Sequence, residues 1–401
     1  MSKKISLGVA LSLVVAAIAA TFAITMTFSQ SIYNSLISNI SGRAEMYSAI
    51  DDINALIRKN YYYFGSINNE EINYSISKGY INGLGDSFNR FMTASEYVEY
   101  AQKVEGKASG VGITANWSDV TGQLVVTSVA SGSSANVKGI KENDIILKIA
   151  GETINASNYE ERLKMLSGDA LSTVSLTCKR GETELDFNVT IGYSYASVTH
   201  KMIGSIGYIR ITAFYANTRD QLTDAVSSLQ QSGATAIIFD LRNTSDGTVK
   251  YAAETVDSIT PICSDKNEVL AKLVGRDGTI IDSFPSTSNN LNLPMAVLIN
   301  EKTSGPAELF ACDLKDFEKA FTVGIKTVGN GTAQQIFTLK DGSAVLLTSA
   351  KIIPYKSEPF EGEGLTPDYE VKQEVKAASP ELLKETEDTQ LQKAVSLLQA
   401  E

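Results

Sequence analysis

Met295-Ala296-Val297-Leu298-Ile299-Asn300-Glu301-Lys302-Thr303-Ser304-Gly305-Pro306-Ala307-Glu308-Leu309-Phe310-Ala311 is the stretch on which the fold turns. Its first five residues form a short apolar run with no polar break, the pattern of a strand buried on both faces. A polar loop follows, and then a helix start. Pro306 suits the first helical position, Gly305 stands at the N-cap, and Glu308 falls at the third position. Phe310, Leu314 and Phe317 then line one buried face. The same alternation runs upstream, with a strand at Ile206–Ile211, a helix at Arg219–Gln231 and a buried strand at Ala236–Arg242. Strands alternating with helices from His200 onward imply an α/β layer structure.

The pattern before His200 differs. From Gly110 to Ile191 apolar residues alternate with polar ones, as in Val174, Leu176, Cys178 and in Leu185, Phe187, Val189, Ile191. Period two marks half-buried strands, so this segment is a small β module with one short helix near Asn158–Leu166. Further upstream Ile32, Leu36, Ile40, Ile50, Ile53, Leu56 and Ile57 recur at helical spacing, followed by a helix from Ile72 to Leu84 closed by Gly85. Ile5 to Phe28 carries no charge and is long enough to cross a bilayer, with Lys3 and Lys4 before it. It reads as a signal anchor with the N-terminus cytoplasmic and the bulk of the chain outside; the alternative is a cleaved signal peptide. Ser379-Pro380-Glu381 opens a last helix with Leu391, Val395 and Leu398 on one face, for packing or for a homodimer.

Two resemblances give these segments names. Ser134-Ala135-Asn136-Val137-Lys138-Gly139-Ile140-Lys141-Glu142-Asn143-Asp144-Ile145-Ile146-Leu147-Lys148-Ile149-Ala150-Gly151 is similar to PDZ domains, which show A-x-x-A-G-I-x-x-G-D-x-I-x-x-I-N-G here. The resemblance implies that Gly110-Val111-Gly112-Ile113 is the loop whose backbone N–H groups hold the carboxylate of a protein C-terminal tail. Glu308-Leu309-Phe310-Ala311, Lys326-Thr327-Val328-Gly329-Asn330-Gly331-Thr332-Ala333-Gln334, Asp240-Leu241-Arg242-Asn243 and Gly364-Leu365-Thr366-Pro367-Asp368 together resemble the carboxy-terminal processing, or tail-specific, serine peptidases. That family reads S-A-S-A-S-E-(I/L)-F-A and then K-T-F-G-K-G-x-x-Q. The resemblance implies a crotonase-related α/β core with the PDZ domain beside it. The spans are then a membrane anchor at 1–30, an N-terminal helical region at 31–98, a PDZ-like domain at 99–193, the peptidase-like core at 194–375 and a C-terminal helix at 376–401.

The departures from the family pattern fall on its chemistry. Anchoring on Glu308 puts the nucleophilic serine position at Gly305 and the lysine base at Asn330. Glycine has no side chain to attack with, and an amide has no useful basicity. Gln334 keeps the position that orients the lysine. In the family's oxyanion loop, D-L-R-x-N-x-G-G, this chain has Asn243, Asp246 and Gly247, and Asp246 replaces a glycine; a carboxylate beside a developing oxyanion is repulsive. Ser304 is the substitute nucleophile to consider, but a shift of one residue at a helix entry swings the side chain by about 100°.

Composition sets the outer bounds. A net charge of −11 without a basic stretch argues against nucleic-acid partners. Cys178, Cys263 and Cys312 are too few and too scattered for a disulfide framework or zinc site, and read as buried thiols. The single histidine, His200, excludes a multi-histidine metal site, so no metal or other cofactor is expected. Three functions are compatible with these readings. The first is a pseudo-peptidase that binds C-terminal tails or regulates an active relative. The second is a peptidase working through Ser304, and the third a structural envelope protein with a vestigial groove.

Overall fold

The computed structural model describes residue 26 and residues 47–130, 132–167, 171–261, 269–287, 291–375, 377 and 379–400. Apart from Met26, the Ile5–Phe28 run lies outside the described residues, as do Ile32, Leu36, Ile40 and Cys263. Among the described residues no helix is long and apolar enough to cross a membrane. The chain divides into two compact units, Met1–Ser75 and Ile76–Glu401. In the first, residues 47–60 form a helix, α1, whose Ile53 and Leu56 are exposed. A 3-10 turn follows at Phe64–Ser66, and helix α2, Asn69–Asn82, starts there and ends in the second.

In the second unit, Arg90–Met92 is a strand paired antiparallel with Ala344–Pro354. This corrects the sequence reading, which placed these residues in a helical region. Phe91 and Met92 are buried, and a strand of three residues is too short to leave a period. Helix α3, Ala94–Val104, follows behind a capping box made by Thr93 and Glu96. The β module then spans Ile113–Ser118, Gln123–Val129, Ile145–Ile149, Thr173–Arg180 and Thr183–Thr190 in that spatial order, all antiparallel. Its short helices are α4, Ser134–Val137, and α5, Tyr159–Lys164. Val174, Leu176 and Cys178 pack inward with Leu124, Val126 and Ile149, as the alternation requires. Asp144 accepts the backbone N–H of Lys141 and the guanidinium of Arg180 at 2.7 Å, holding the strand entry. The module joins the rest through a two-strand neck, Lys107–Ala108 against Tyr193–Ser194. There the Asn217 amide donates to the carbonyls of Gly106 at 3.0 Å and Tyr195 at 2.9 Å.

The α/β core is a sheet in the order Val198–Ile203, Ile206–Ile211, Ala236–Asp240, Met295–Ile299, Ala320–Gly324, Tyr369–Glu370; the first pair is antiparallel and the rest parallel. Every residue of Ala236–Asp240 and Met295–Ile299 is buried, as expected of parallel strands covered on both faces. Helices α6, Thr218–Gln231, α7, Val249–Asp257, and α8, Pro306–Asp316, supply Leu222, Val256 and Leu309 to the apolar cluster on one face. Helix α9, Thr389–Leu398, lays Leu391, Ala394 and Leu398 on the other.

One expectation changes here. The last helix starts at Thr389, capped by Asp388, and not at Ser379; Pro380–Leu382 and Glu385–Glu387 are single 3-10 turns. Its apolar stripe packs on its own sheet. Of the cysteines, Cys178 and Cys312 are buried free thiols, and burial pushes Cys178 up to about 12.

Helix α9 is also tied by charge. Arg242 lies between two carboxylates, with Nη2 2.6 Å from Asp240 Oδ2 and 2.7 Å from Asp388 Oδ2. Tyr208 donates its hydroxyl to Asp240 at 2.7 Å, and Arg210 approaches the same carboxylate at 3.3 Å. Burial alone raises the Asp240 carboxyl, but Arg242, Arg210 and Tyr208 outweigh it and hold the group below the ordinary carboxylate range. A depressed carboxyl contributes stability that is present above its unfolded value and lost as pH falls through the folded one. The network therefore weakens only in acid, below about pH 4. Removing one partner leaves a buried charge uncompensated, so Arg242→Ala is expected to cost about 3–5 kcal/mol. Urea unfolding at pH 7 measures the loss, and the gap between variant and wild type should shrink on acidification.

Candidate functional site

Glu308 sits in the first turn of α8, fully buried, and its carboxylate joins two segments distant in sequence. It accepts the N–H of Gly305 at 2.8 Å, satisfying the N-cap amide at its own helix start. It also accepts the N–H of Gly329 at 2.6 Å and of Asn330 at 2.9 Å, together with the hydroxyl of Thr327. Burial pushes the carboxyl upward and these four donors pull it back, leaving it above the ordinary range. Thr327 Oγ1 in turn accepts the N–H of Leu365 at 2.7 Å, which brings in the Gly364–Asp368 segment.

This staple brings Gly305 and Asn330 face to face. Gly305 has φ 58° and ψ −112°, a conformation costly to any residue with a Cβ. A Cβ built there would meet Asn330 Nδ2 at 3.2 Å. The two positions at which the family pattern carries nucleophile and base are thus adjacent in space, and between them lie only a backbone and a neutral amide. Gln334 stands at the position that orients the lysine in the family pattern, and no lysine is there. Its Nε2 donates to Thr332 Oγ1 at 3.2 Å, and Thr332 Oγ1 donates to Asn330 Oδ1 at 2.8 Å. Thr332 was not among the residues singled out from the sequence.

Ser304 is buried, and its N–H donates to the Thr244 carbonyl at 3.0 Å. Lys302 and Lys326 are exposed, and neither is hydrogen-bonded to Ser304, so no base accompanies it among the described residues. In the Asp240–Gly247 loop, Asn243 has φ 61° and exchanges hydrogen bonds with Asn300, 2.9 Å from its N–H and 2.8 Å to its side-chain oxygen. Asp246 is not a bare charge. Lys103 of α3 reaches it at 2.7 Å, Tyr215 donates its hydroxyl at 2.7 Å, and the N–H of Gly247 donates at 2.9 Å. Burial raises this carboxyl, and the three donors, led by Lys103, bring it below the ordinary range. Lys103 carries no sequence signal of this pairing, since 143 residues separate it from Asp246.

A groove of about 680 Å³ opens between Ile113–Ser118 and α5. Gly110, Val111, Gly112 and Ile113 line one end, with Leu163 and Leu166 opposite. The carbonyls of Gly110, Val111 and Gly112 accept from Gly192, Ala135 and Ala130, which fixes the loop. The N–H groups of Val111 and Gly112 donate to no other described residue, an arrangement suited to an anion. Gly112 has φ 84°, and a Cβ there would overlap Ser133, so this position admits only glycine.

Residues 205–371 match Peptidase family S41, and residues 110–191 match the PDZ domain. Among curated proteins, a "Probable CtpA-like serine protease" of Staphylococcus aureus strain MRSA252 is 29% identical over 322 residues, 80% of this chain and 63% of its own length. A protein of the same description from Staphylococcus haemolyticus strain JCSC1435 is 28% identical over 336 residues, 81% of this chain and 65% of its own. This chain therefore spans a little under two thirds of the length of these relatives. Among solved structures, a photosystem II D1 C-terminal processing protease aligns over 77% of this chain and 84% of its own, at 22% identity and TM-score 0.44.

The Glu308 staple is open to direct test. Glu308→Ala strips four donors of their acceptor in a buried place, so a loss of about 3 kcal/mol or more is expected in urea unfolding. Hydrogen exchange at the Gly329 and Asn330 amides should accelerate with it. Unchanged exchange there would show that the two segments are held by something else.

Proposed function

We propose that this chain, which belongs to the CtpA-type, PDZ-bearing members of peptidase family S41, is a membrane-anchored extracytoplasmic pseudo-peptidase that binds protein C-terminal tails. The observation that carries the reading is the contact between Gly305 and Asn330. The pair keeps the family positions adjacent and supplies neither a nucleophile nor a base. The groove at Gly110–Ile113 supplies what tail binding needs, namely unclaimed N–H groups for a carboxylate and apolar walls at Leu163 and Leu166 for a terminal side chain. Anchoring rests on the uncharged Ile5–Phe28 run behind Lys3 and Lys4, which sets the N-terminus in the cytoplasm and the groove outside. Held tails then reach either the cleft of this chain or an active relative that it regulates.

Two measurements test this. Against an unfolded protein substrate, the full-length chain is expected to be inert and Ser304→Ala indistinguishable from it. The double change Gly305→Ser with Asn330→Lys is expected to produce cutting, with a stability loss of about 1–3 kcal/mol from the positive φ at 305. Cutting by wild type that Ser304→Ala abolishes would establish a relocated nucleophile and end the pseudo-peptidase reading. In a binding assay, Leu163→Asp and amidation of a peptide's C-terminus should each weaken binding by about tenfold or more, since each removes one anchor of the tail. Binding indifferent to both would favour a structural protein with a vestigial groove.

A further inference from the structure

Two aromatic rings meet at the end of the tail groove away from Gly110. The indole of Trp117 stacks on the ring of Tyr159, with centroids 5.0 Å apart and planes 15° from parallel. Trp117 lies on the strand Ile113–Ser118 and Tyr159 opens α5, so the pair reaches from one wall of the groove to the other. Both rings lean on the module's core cluster, and the Tyr159 hydroxyl donates to Glu160 at 3.1 Å. Along the strand the groove is lined by Ile113, Thr114 and Ala115, and neither ring is among its lining residues. It stops where the rings begin.

Ile113–Ser118 is the outer strand of its sheet, paired with Gln123–Val129 alone among the described strands. Its free edge can take one more strand. A tail with its carboxylate at Gly110–Gly112 runs antiparallel along that edge, since the strand leads away from the loop. Its last residue then stands beside Ile113, the third from the end beside Ala115 and the fifth beside Trp117. Ile113, Ala115 and Trp117 turn to the core side together, as period two requires. Paired residues share a face, so the third residue's side chain lies over Ala115 with the rings as its next neighbour. Three extended residues span about 10 Å, and a fifth would have to displace the stacked pair.

We propose that Trp117 and Tyr159 are the end stop of the groove: it reads the last three residues of a tail, and the chain before them leaves it. The side chain third from the end is confined between Ala115 and the rings. Tails with a small residue there are taken, and tails with a bulky one are refused. The end stop rests on the tail-binding reading above and names the tails that the groove admits.

The test is competition against a labelled hexapeptide on the full-length chain, followed by fluorescence anisotropy. The competitors are acetylated peptides ending in Val, Leu or Ala: the last three residues alone, and six residues with Ala or Phe third from the end. In wild type the three- and six-residue forms with Ala are expected to compete within about twofold of each other. Phe is expected to weaken competition by about tenfold or more. Trp117→Ala and Tyr159→Ala each remove half of the stop, so in both the Phe peptide should come within about threefold of the Ala peptide. Weakening of all peptides alike in these variants would assign the pair to stability alone and overturn the end stop. Circular dichroism melts confirm folding, and Tyr159→Ala keeps the comparison decisive if Trp117→Ala does not fold. Equal competition by the Ala and Phe peptides in wild type would also overturn the end stop, while leaving tail binding intact. Failure of wild type to bind any of these peptides, or binding unchanged by C-terminal amidation, would overturn tail binding itself, and the end stop with it.

Discussion

One buried carboxylate organises the site. Glu308 must face four donors, from its own helix start and from the 327–330 segment, because no water reaches it to replace them. That requirement fixes the entry angle of α8 and the path of the loop carrying Asn330. It also connects, through Thr327, to Leu365. The cost of leaving buried N–H groups unmatched is of the order of 1–3 kcal/mol each, so the arrangement is maintained whatever chemistry the neighbouring positions carry. Adjacency of Gly305 and Asn330 follows from this staple and needs no catalytic role.

A second constraint acts across the chain. Asp246 stands where the family pattern has glycine, and taken from sequence alone its charge opposes an oxyanion. In the fold that charge is shared with Lys103 and Tyr215. Lys103 belongs to α3, the helix that leads into the neck of the PDZ module, and its ammonium also lies 5.7 Å from the ring of Tyr195 and 5.6 Å from that of Tyr215. The acidic substitution thus became part of the contact between the helix before the module and the core loop. Both partners remain about 40–50% exposed, so the pair contributes modestly to stability and more to placement.

The fold was legible where local pattern decides it. Alternation over residues 174–178 gave the β module's inward face, and the apolar runs 236–240 and 295–299 marked strands buried on both sides. Spacing from Glu308 located Gly305 and Asn330. What escaped was set by contacts between distant residues, which leave no period. The strand at Arg90–Met92 is too short to show one, and Lys103 gives no sign that it serves Asp246. The start of the last helix was misplaced because Pro380 imitates a first helical position. The residue that caps the helix is Asp388, which also holds Arg242. Thr332 was missed because a hydroxyl relay between Gln334 and Asn330 depends on side-chain direction, which composition and spacing do not encode.

The family motif therefore separates into two kinds of residue. Asp240 and Arg242 bind α9 to the sheet; Glu308 and Thr327 fasten the loops; Asp368 accepts the N–H and hydroxyl of Thr322, both at 2.9 Å, and pairs with Lys315. Each has a structural duty that ends in a hydrogen bond or ion pair, and each matches the family pattern. The departures, Gly305, Asn330 and Asp246, fall where the family pattern carries its nucleophile, its base and its oxyanion loop. A motif can be nearly intact and say little about catalysis, because most of it is framework.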